Sequence, residues 1–363
     1  MSIYYKIYKA RNSKDKIIVL NEEEDFNYMF CNKKAGNIRL GIIGTGRIAK
    51  RFVPEVEYVD GIQVEIAYNP RLISAKKFAE ESKLNKYTDK IEEFYTNCDA
   101  VYIATPHNTH YKYIKDALEH GKHVLCEKPM VLKEKEAKEL FQLASNHKLI
   151  LMEALKTAYA PGFLELIANV ESNKIGNICD VEASFTKLVP YSQAREFDIN
   201  ENGGSFTELG SYPLLAIAKI LGRDCKDIKF VSFIDINGID LYTKVYMRYE
   251  NAIAMVKVGL GIKSEGNLVV SGTKGYVLAE SPWWMTKGFE ICYENRDENE
   301  KYSMEYEGQG LRYEIRVFIS RINGMNKCEE TFTSEDSIFL AEIMEKYLKL
   351  RKEGMIDIIK LEK

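Results

Sequence analysis

The 363-residue sequence lacks the features that mark several broad protein classes. No apolar run approaches the roughly 20 residues that a membrane-crossing helix requires. Met1 to Leu20 is charged throughout and has no apolar signal core, so a cytoplasmic protein is expected. Charge excess is missing too: 51 Lys+Arg against 54 Asp+Glu leave a formal net charge of -3, which gives no electrostatic attraction for nucleic acid or an anionic membrane. Paired cysteines are absent. Cys31, Cys98, Cys126, Cys179, Cys225, Cys292 and Cys328 stand singly, and an odd number cannot all pair within one chain. No CxxC or Cys/His cluster has metal-ligand spacing, and the five histidines are dispersed, so reduced thiols and no metal are expected. There is no internal repeat and no low-complexity tract. What remains is an ordinary globular composition, 45% hydrophobic and 29% charged, in a chain long enough for two cores.

One stretch stands out from that background. Residues 40–43 form an apolar run that reads as a buried parallel strand. It passes directly into Gly44-Thr45-Gly46-Arg47-Ile48-Ala49, and residues 47–52 continue as a helix. Strand, glycine turn and helix in this order suit a dinucleotide pyrophosphate. Gly44 allows the turn, Gly46 lets the backbone approach the phosphates, and Ala49 permits close helix–strand packing. The helix start then presents N–H groups and a positive dipole end to the anion.

Residues 1–37 precede this strand as an extension with the acidic run Glu22-Glu23-Glu24-Asp25; residues 4–8 and 17–20 are expected to form a small hairpin. From 38 to 153 strands (64–68, 100–104, 123–126, 149–152) alternate with helices (74–82, 111–120, 133–147). This predicts a doubly wound α/β domain of Rossmann type, with its ligand-facing loops at the carboxyl ends of the strands. From 154 to 363 the character changes. One helix (161–172) is followed by alternating runs at 179–189, 229–236, 241–249, 252–260, 267–270 and 276–279. They predict an α+β domain with a largely antiparallel open sheet, one face covered and the other available for self-association. A helix over 334–352, opened by the capping-type Thr333-x-x-Asp336, returns at the end with an apolar stripe at 340, 341, 344, 347 and 348.

Two further segments carry chemistry. Glu127-Lys128-Pro129 follows a strand on the ligand side of the nucleotide domain, and the proline biases Lys128 to an extended conformation. A lysine there, near a cationic nicotinamide and partly desolvated, would titrate closer to a useful acid/base range. Gly203-Gly204 leads to Glu208-Leu209-Gly210-Ser211-Tyr212, where Glu208 and Tyr212 share one helical face and Pro213 marks a start or kink. On cofactor choice, the second strand ends Ala67-Tyr68-Asn69-Pro70-Arg71, without the acid that holds a ribose 2′-hydroxyl about 20 residues past the glycines in NAD-binding folds. Arg71 suits a 2′-phosphate and Asn69 either form, so NADP is favoured slightly over NAD.

The glycine loop, Thr105-Pro106-His107-Asn108-Thr109-His110, Glu127-Lys128-Pro129 and Glu208-x-Gly210-x-Tyr212 occur in order. Together they resemble the Gfo/Idh/MocA oxidoreductase family, nearest its dihydrodiol/xylose dehydrogenase branch. The resemblance implies hydride transfer between nicotinamide and a secondary hydroxyl or ketone of a sugar, polyol or related small molecule, in a homodimer or homotetramer. It implies catalysis by Lys128 with Tyr212, which takes a position that is His or Tyr in the family, and with Glu208, which would position the pair or the substrate. Glu208 replaces the usual Asp, so the carboxylate is displaced by one methylene. Cofactor contacts are expected from Gly44, Thr45, Gly46, Arg47, Ile48, Ala49, Asn69, Arg71, Thr105, Pro106, Asn108, Glu127 and Lys128. His107 and His110 lie near the same cleft by resemblance, and a polar role at a helix start suits His110. Tyr191, Arg195, Trp283 and Trp284 are substrate candidates: aromatic faces suit sugar C–H surfaces, and Arg195 a phosphate or carboxylate, while packing at the sheet edge stays open as the alternative for Trp283 and Trp284. An NAD-dependent glycosidase working by transient oxidation and elimination, and a non-catalytic dinucleotide-binding regulator, stay open as alternatives.

Overall fold

A computed structural model describes residues 5–9, 16–20, 37–190, 195–324 and 331–360. The chain divides into two compact units, residues 29–159 with 307–341, and residues 1–28, 160–306 and 342–363. The first strands in the chain, β1 (Tyr5–Lys9) and β2 (Lys16–Leu20), pair antiparallel.

The first unit holds a six-stranded parallel sheet of β3 (Ile38–Ile43), β4 (Ile62–Tyr68), β5 (Lys86–Thr88), β6 (Ala100–Ile103), β7 (His123–Glu127) and β8 (Leu151–Ala154), in the order β5-β4-β3-β6-β7-β8. The order reverses between β3 and β6, which is where doubly wound sheets open a ligand crevice. Connecting them are α1 (Arg47–Val56), α2 (Leu72–Glu81), α3 (Ile91–Thr96), α4 (His107–Glu119) and α5 (Glu134–Asn146). Ala100 to Ile103 is buried on both sides, as a central parallel strand covered by helices requires. α1 buries Ala49, Phe52, Val53 and Val56, and Phe52 stacks on Tyr102 with ring centroids 3.6 Å apart. Burial of such a side chain contributes about 1.5–3 kcal/mol.

Two features depart from the sequence expectation. α4 starts at His107, earlier than the expected residue 111, because Pro106 serves as its N-cap, with φ -60° and no N–H to leave unpaired. β5 and α3 were not foreseen: a three-residue strand with two exposed positions carries almost no hydrophobic period.

The second unit contains α6 (Pro161–Glu171), β9 (Ile178–Thr186), α7 (Ser205–Leu209), α8 (Ser211–Leu221), β10 (Asp227–Ile234), β11 (Asp240–Arg248), β12 (Ile253–Gly259), β13 (Leu268–Gly272), β14 (Gly275–Ala279), β15 (Gly288–Tyr293) and β16 (Glu300–Ser303). The chain then gives α9 (Leu311–Ile322) to the first unit, and ends in α10 (Ser334–Lys352) and β17 (Asp357–Lys360). The sheet of the second unit runs β1-β2-β16-β15-β14-β13-β9-β12-β11-β10-β17. Its described pairings are antiparallel except β2/β16, β9/β12 and β10/β17.

The Thr333–Asp336 capping box forms as expected: Asp336 Oδ2 accepts the Thr333 N–H at 3.0 Å, and Thr333 Oγ1 accepts the Asp336 N–H at 3.3 Å. Leu340, Ala341, Met344 and Tyr347 of α10 are buried. In the second unit Asp240 fixes the start of α7. It accepts the Ser205 hydroxyl at 2.7 Å and the Phe206 N–H at 2.8 Å, and pairs with Arg351 at 2.8 Å. In the first unit Arg312 of α9 grips Glu55 of α1 through two bonds of 3.1 Å. Burial alone would raise the Glu55 carboxyl; the Arg312 guanidinium and the Gln309 N–H outweigh it and hold the group below its usual range.

Candidate active site

In the first unit, the loop after β3 depends on two glycines for different reasons. Gly44 has φ +97°, and a Cβ there would lie 2.5 Å from the Ala104 carbonyl oxygen, so the turn excludes any side chain. The Gly44 N–H donates to Tyr68 O at 3.0 Å and the Ala104 N–H to Ile43 O at 2.8 Å, which ties the ends of β3, β4 and β6 together. Gly46 has ordinary φ, and no atom lies within 4 Å of where its Cβ would stand. The space beside Gly46 is therefore open at the N-terminus of α1. Arg47 and Ile48 open the helix, and Ala49 is fully buried against the sheet.

At the end of β4, Asn69 donates to Thr45 Oγ1 at 2.9 Å and accepts the Arg71 N–H at 2.9 Å. This bridge places Asn69 beside the glycine loop, with Arg71 exposed at the N-cap of α2. At the end of β6, Thr105 Oγ1 accepts the Thr109 hydroxyl at 2.8 Å, while Pro106 and Asn108 are exposed. At the end of β7, Glu127 accepts the Tyr102 hydroxyl at 2.6 Å and the Lys128 N–H at 3.2 Å, and Lys128 is half-buried. Gly44, Asn69, Thr105 and Lys128 thus all lie at carboxyl ends of parallel strands.

Near Lys128 lies a set of ionisable groups, of which Lys156 and Glu314 had no pointer in the sequence. Burial pushes the Glu127 carboxyl up, against the pull of the Lys128 charge. Burial also pushes Glu314 of α9 well above its usual range, with Glu127 adding to the rise, and lowers Lys156, whose ammonium donates to the Gln309 carbonyl. Glu153, also buried, is pushed up to about 7. Lys156 and Glu314 come from segments far apart in sequence, so no local motif announces them together.

The second unit arranges the other candidates. α7 and α8 abut at Gly210, whose backbone is itself helical, and Glu208 is buried within α7. Arg195 pairs with it through two contacts, Nη1–Oε1 at 3.0 Å and Nη2–Oε2 at 3.2 Å. Arg195, a substrate candidate, is engaged with Glu208 through its guanidinium, and each orients the other. Trp283 requires a correction. It is 1% exposed and its indole N–H donates to Ser184 O at 2.8 Å, so it is a core residue and not a substrate contact. Trp284, next in sequence, stacks on Phe185 at 3.6 Å with planes 9° apart, and Phe185 meets the Tyr212 ring edge-on at 5.1 Å. All three rings are half-buried. Phe185 was missed because the sequence presents it only as one position of an alternating strand. Tyr191 lies outside the described residues.

Comparison with known proteins gives this geometry a lineage. Residues 38–155 match the oxidoreductase family with an NAD-binding Rossmann fold, and residues 163–278 match the GFO/IDH/MocA C-terminal domain. The chain is 28% identical over 322 residues to scyllo-inositol 2-dehydrogenase (NADP(+)) of Bacillus subtilis, covering 86% of this chain and 96% of that protein. It is 27% identical over 328 residues to trans-1,2-dihydrobenzene-1,2-diol dehydrogenase of Sus scrofa, with the same coverage. Its fold matches a 3-ketoreductase from Actinomadura kijaniata, solved in complex with NADP and TDP-benzene, with a TM-score of 0.78 and 23% identity over 90% of this chain and 100% of the other. With both domain types in sequence, and a glycine turn followed by a helix at the end of the first parallel strand, the chain belongs to the Gfo/Idh/MocA family of NAD-binding oxidoreductases.

Proposed function

We propose that the protein is an NADP-dependent dehydrogenase or reductase acting on a secondary hydroxyl or ketone of a ring-shaped sugar, polyol or diol. The observation that carries the substrate class is the run of three half-buried rings, Trp284 stacked on Phe185 and Phe185 edge-on to Tyr212. It sets a flat apolar surface beside a phenol, which suits a ring with C–H faces and hydroxyl edges. The relatives' names agree in kind, an inositol and a cyclic diol.

When bound, the dinucleotide supplies the hydride acceptor or donor. The chain's own residues have separate tasks. The open cradle at Gly46 and the start of α1 take the pyrophosphate. Lys128, at the end of β7, holds the reacting hydroxyl and its proton, with Tyr212 as partner in that transfer. Glu208, paired to Arg195, keeps the segment carrying Tyr212 in place. A screen of inositols, cyclic trans-diols and sugar nucleotides with NADP and NAD, followed by nicotinamide absorbance, tests this reading; no turnover with any ring polyol or its ketone would reject it.

The preference for NADP is assigned to Arg71. Loss of a charged hydrogen bond is worth about 1.5–3 kcal/mol, so Arg71→Ala is expected to weaken NADP binding by about 10–100-fold and leave NAD binding nearly unchanged. Fluorescence titration with both reduced cofactors checks this, and equal losses for the two would remove Arg71 from the role.

We also infer a homodimer or homotetramer built on the outer sheet face, where the strand register places the exposed Tyr246, Ile253 and Tyr276 on one side. Light scattering that shows a monomer at high micromolar concentration would end this inference. A cytoplasmic location is in keeping with the free thiols of Cys98, Cys126, Cys179, Cys225 and Cys292.

A further inference from the structure

One buried ring joins the loop after β6 to the turn after β7. His110 is 0% exposed. Its Nδ1 lies 3.0 Å from the carbonyl oxygen of Pro129, and its Nε2 lies 2.9 Å from the carbonyl oxygen of Thr105. A backbone carbonyl can only accept, so each contact is a hydrogen bond only when that nitrogen carries a proton. Neutral imidazole has one N–H. Its other nitrogen would then set a lone pair against a carbonyl lone pair where water does not compensate. Changing tautomer only changes which carbonyl is left facing a lone pair. Turning the ring over replaces both nitrogens by carbons and forfeits both bonds. Only the doubly protonated ring satisfies both carbonyls.

We propose that His110 is held as an imidazolium that bridges the Thr105 and Pro129 carbonyl oxygens, and that this bridge is a positioning element for Lys128.

The surrounding charges act in both directions. On α4 itself is His107, with ring centroids 5.7 Å apart, and the helix N-terminus opposes a cation. From the end of β7 come Lys128, which also opposes it, and Glu127, which favours it. From β8 comes Glu153, whose carboxyl accepts the N–H of Met130, the residue after Pro129, at 3.0 Å. α10 contributes Ser337, bonded to Glu153, and so bears on the same carboxyl. Two carbonyl dipoles aimed at the ring decide the balance for the charged form, and Glu153 on the neighbouring strand, its carboxyl pushed up to about 7 by burial, adds to it as it ionises. Because one bond ends on Pro129 and the other on Thr105, loss of the charge releases the peptide next to Lys128 from the loop expected at the cofactor.

The protonation state can be read without any substrate. With only five histidines in the chain, nitrogen-15 NMR of the histidine-labelled protein resolves the rings. His110→Phe assigns the signal; should that variant not fold, His107→Gln, His120→Gln, His123→Gln and His147→Gln assign it by elimination. His110 is expected to keep both ring protons from about pH 6 to about pH 8, across which an ordinary histidine loses one. A His110 ring with one unprotonated nitrogen at about pH 7 overturns the proposal. The functional arm rests on the role given to Lys128. His110→Gln keeps a donor toward one carbonyl, and is expected to lower turnover by about 10²-fold, as a misplaced catalytic group does, with NADPH affinity retained. Equal losses of turnover and affinity overturn the positioning role. If Lys128→Met proves fully active, the role of Lys128 fails while the NMR result stands independently.

Discussion

Gly46→Val is expected to fold normally and to bind neither NADP nor NAD measurably. The contrast with Gly44 makes this specific. A Cβ at Gly44 collides with the Ala104 carbonyl and sits at φ +97°, so Gly44→Ala damages the protein itself. At Gly46 a Cβ meets no protein atom within 4 Å and the backbone is one that any residue adopts. Valine there would enter the space proposed for the phosphates. It removes at least two charged hydrogen bonds to backbone N–H groups, each worth about 1.5–3 kcal/mol, so affinity should fall by more than about 100-fold. Thermal melting and cofactor titration on the same sample check both halves. A folded Gly46→Val protein with unchanged affinity would move the cofactor elsewhere.

Lys128→Met should fold and bind cofactor but lose turnover by about 10²–10⁴-fold, the usual loss on removing a general acid or base. Methionine keeps much of the lysine stem and discards only the ammonium. Tyr212→Phe should also lower turnover. The double variant should lose less than the product of the two single losses, because both groups would serve one proton path. Near-normal turnover by folded, cofactor-loaded Lys128→Met would overturn the mechanism, and strictly multiplicative losses would separate the roles of the two residues.

The parallel sheet was legible because β3, β6 and β7 carry short apolar runs that lead into a glycine or proline turn. The closing helix was legible from Thr333 and Asp336, since a capping box is local chemistry. Relations between distant segments were not. Nothing around residue 311 signals that α9 belongs with α1, because the Arg312–Glu55 grip spans most of the chain. Trp283 and Trp284 are neighbours in sequence, yet one is sealed into the core and the other stacks on Phe185; their identical chemistry gave no way to choose. Arg195 read as a substrate contact and Glu208 as a carboxylate beside Tyr212, and only the fold set the two together. The candidates at strand ends were picked individually, whereas His110, read as a polar helix-start residue near the same cleft, gave no sign that its ring spans two of those ends.

The pairing of β2 with β16 also dictates an order of events. Lys16 lies opposite Glu300 in the register, so the hairpin synthesised first joins the sheet through one of the last strands to emerge. Parallel pairing across such a separation carries a large loop-closure entropy and tends to form late. On the ribosome, the hairpin must therefore wait while the parallel sheet and then strands β9 to β15 are completed. The β1–β2 border of that sheet closes only after residue 300 has appeared.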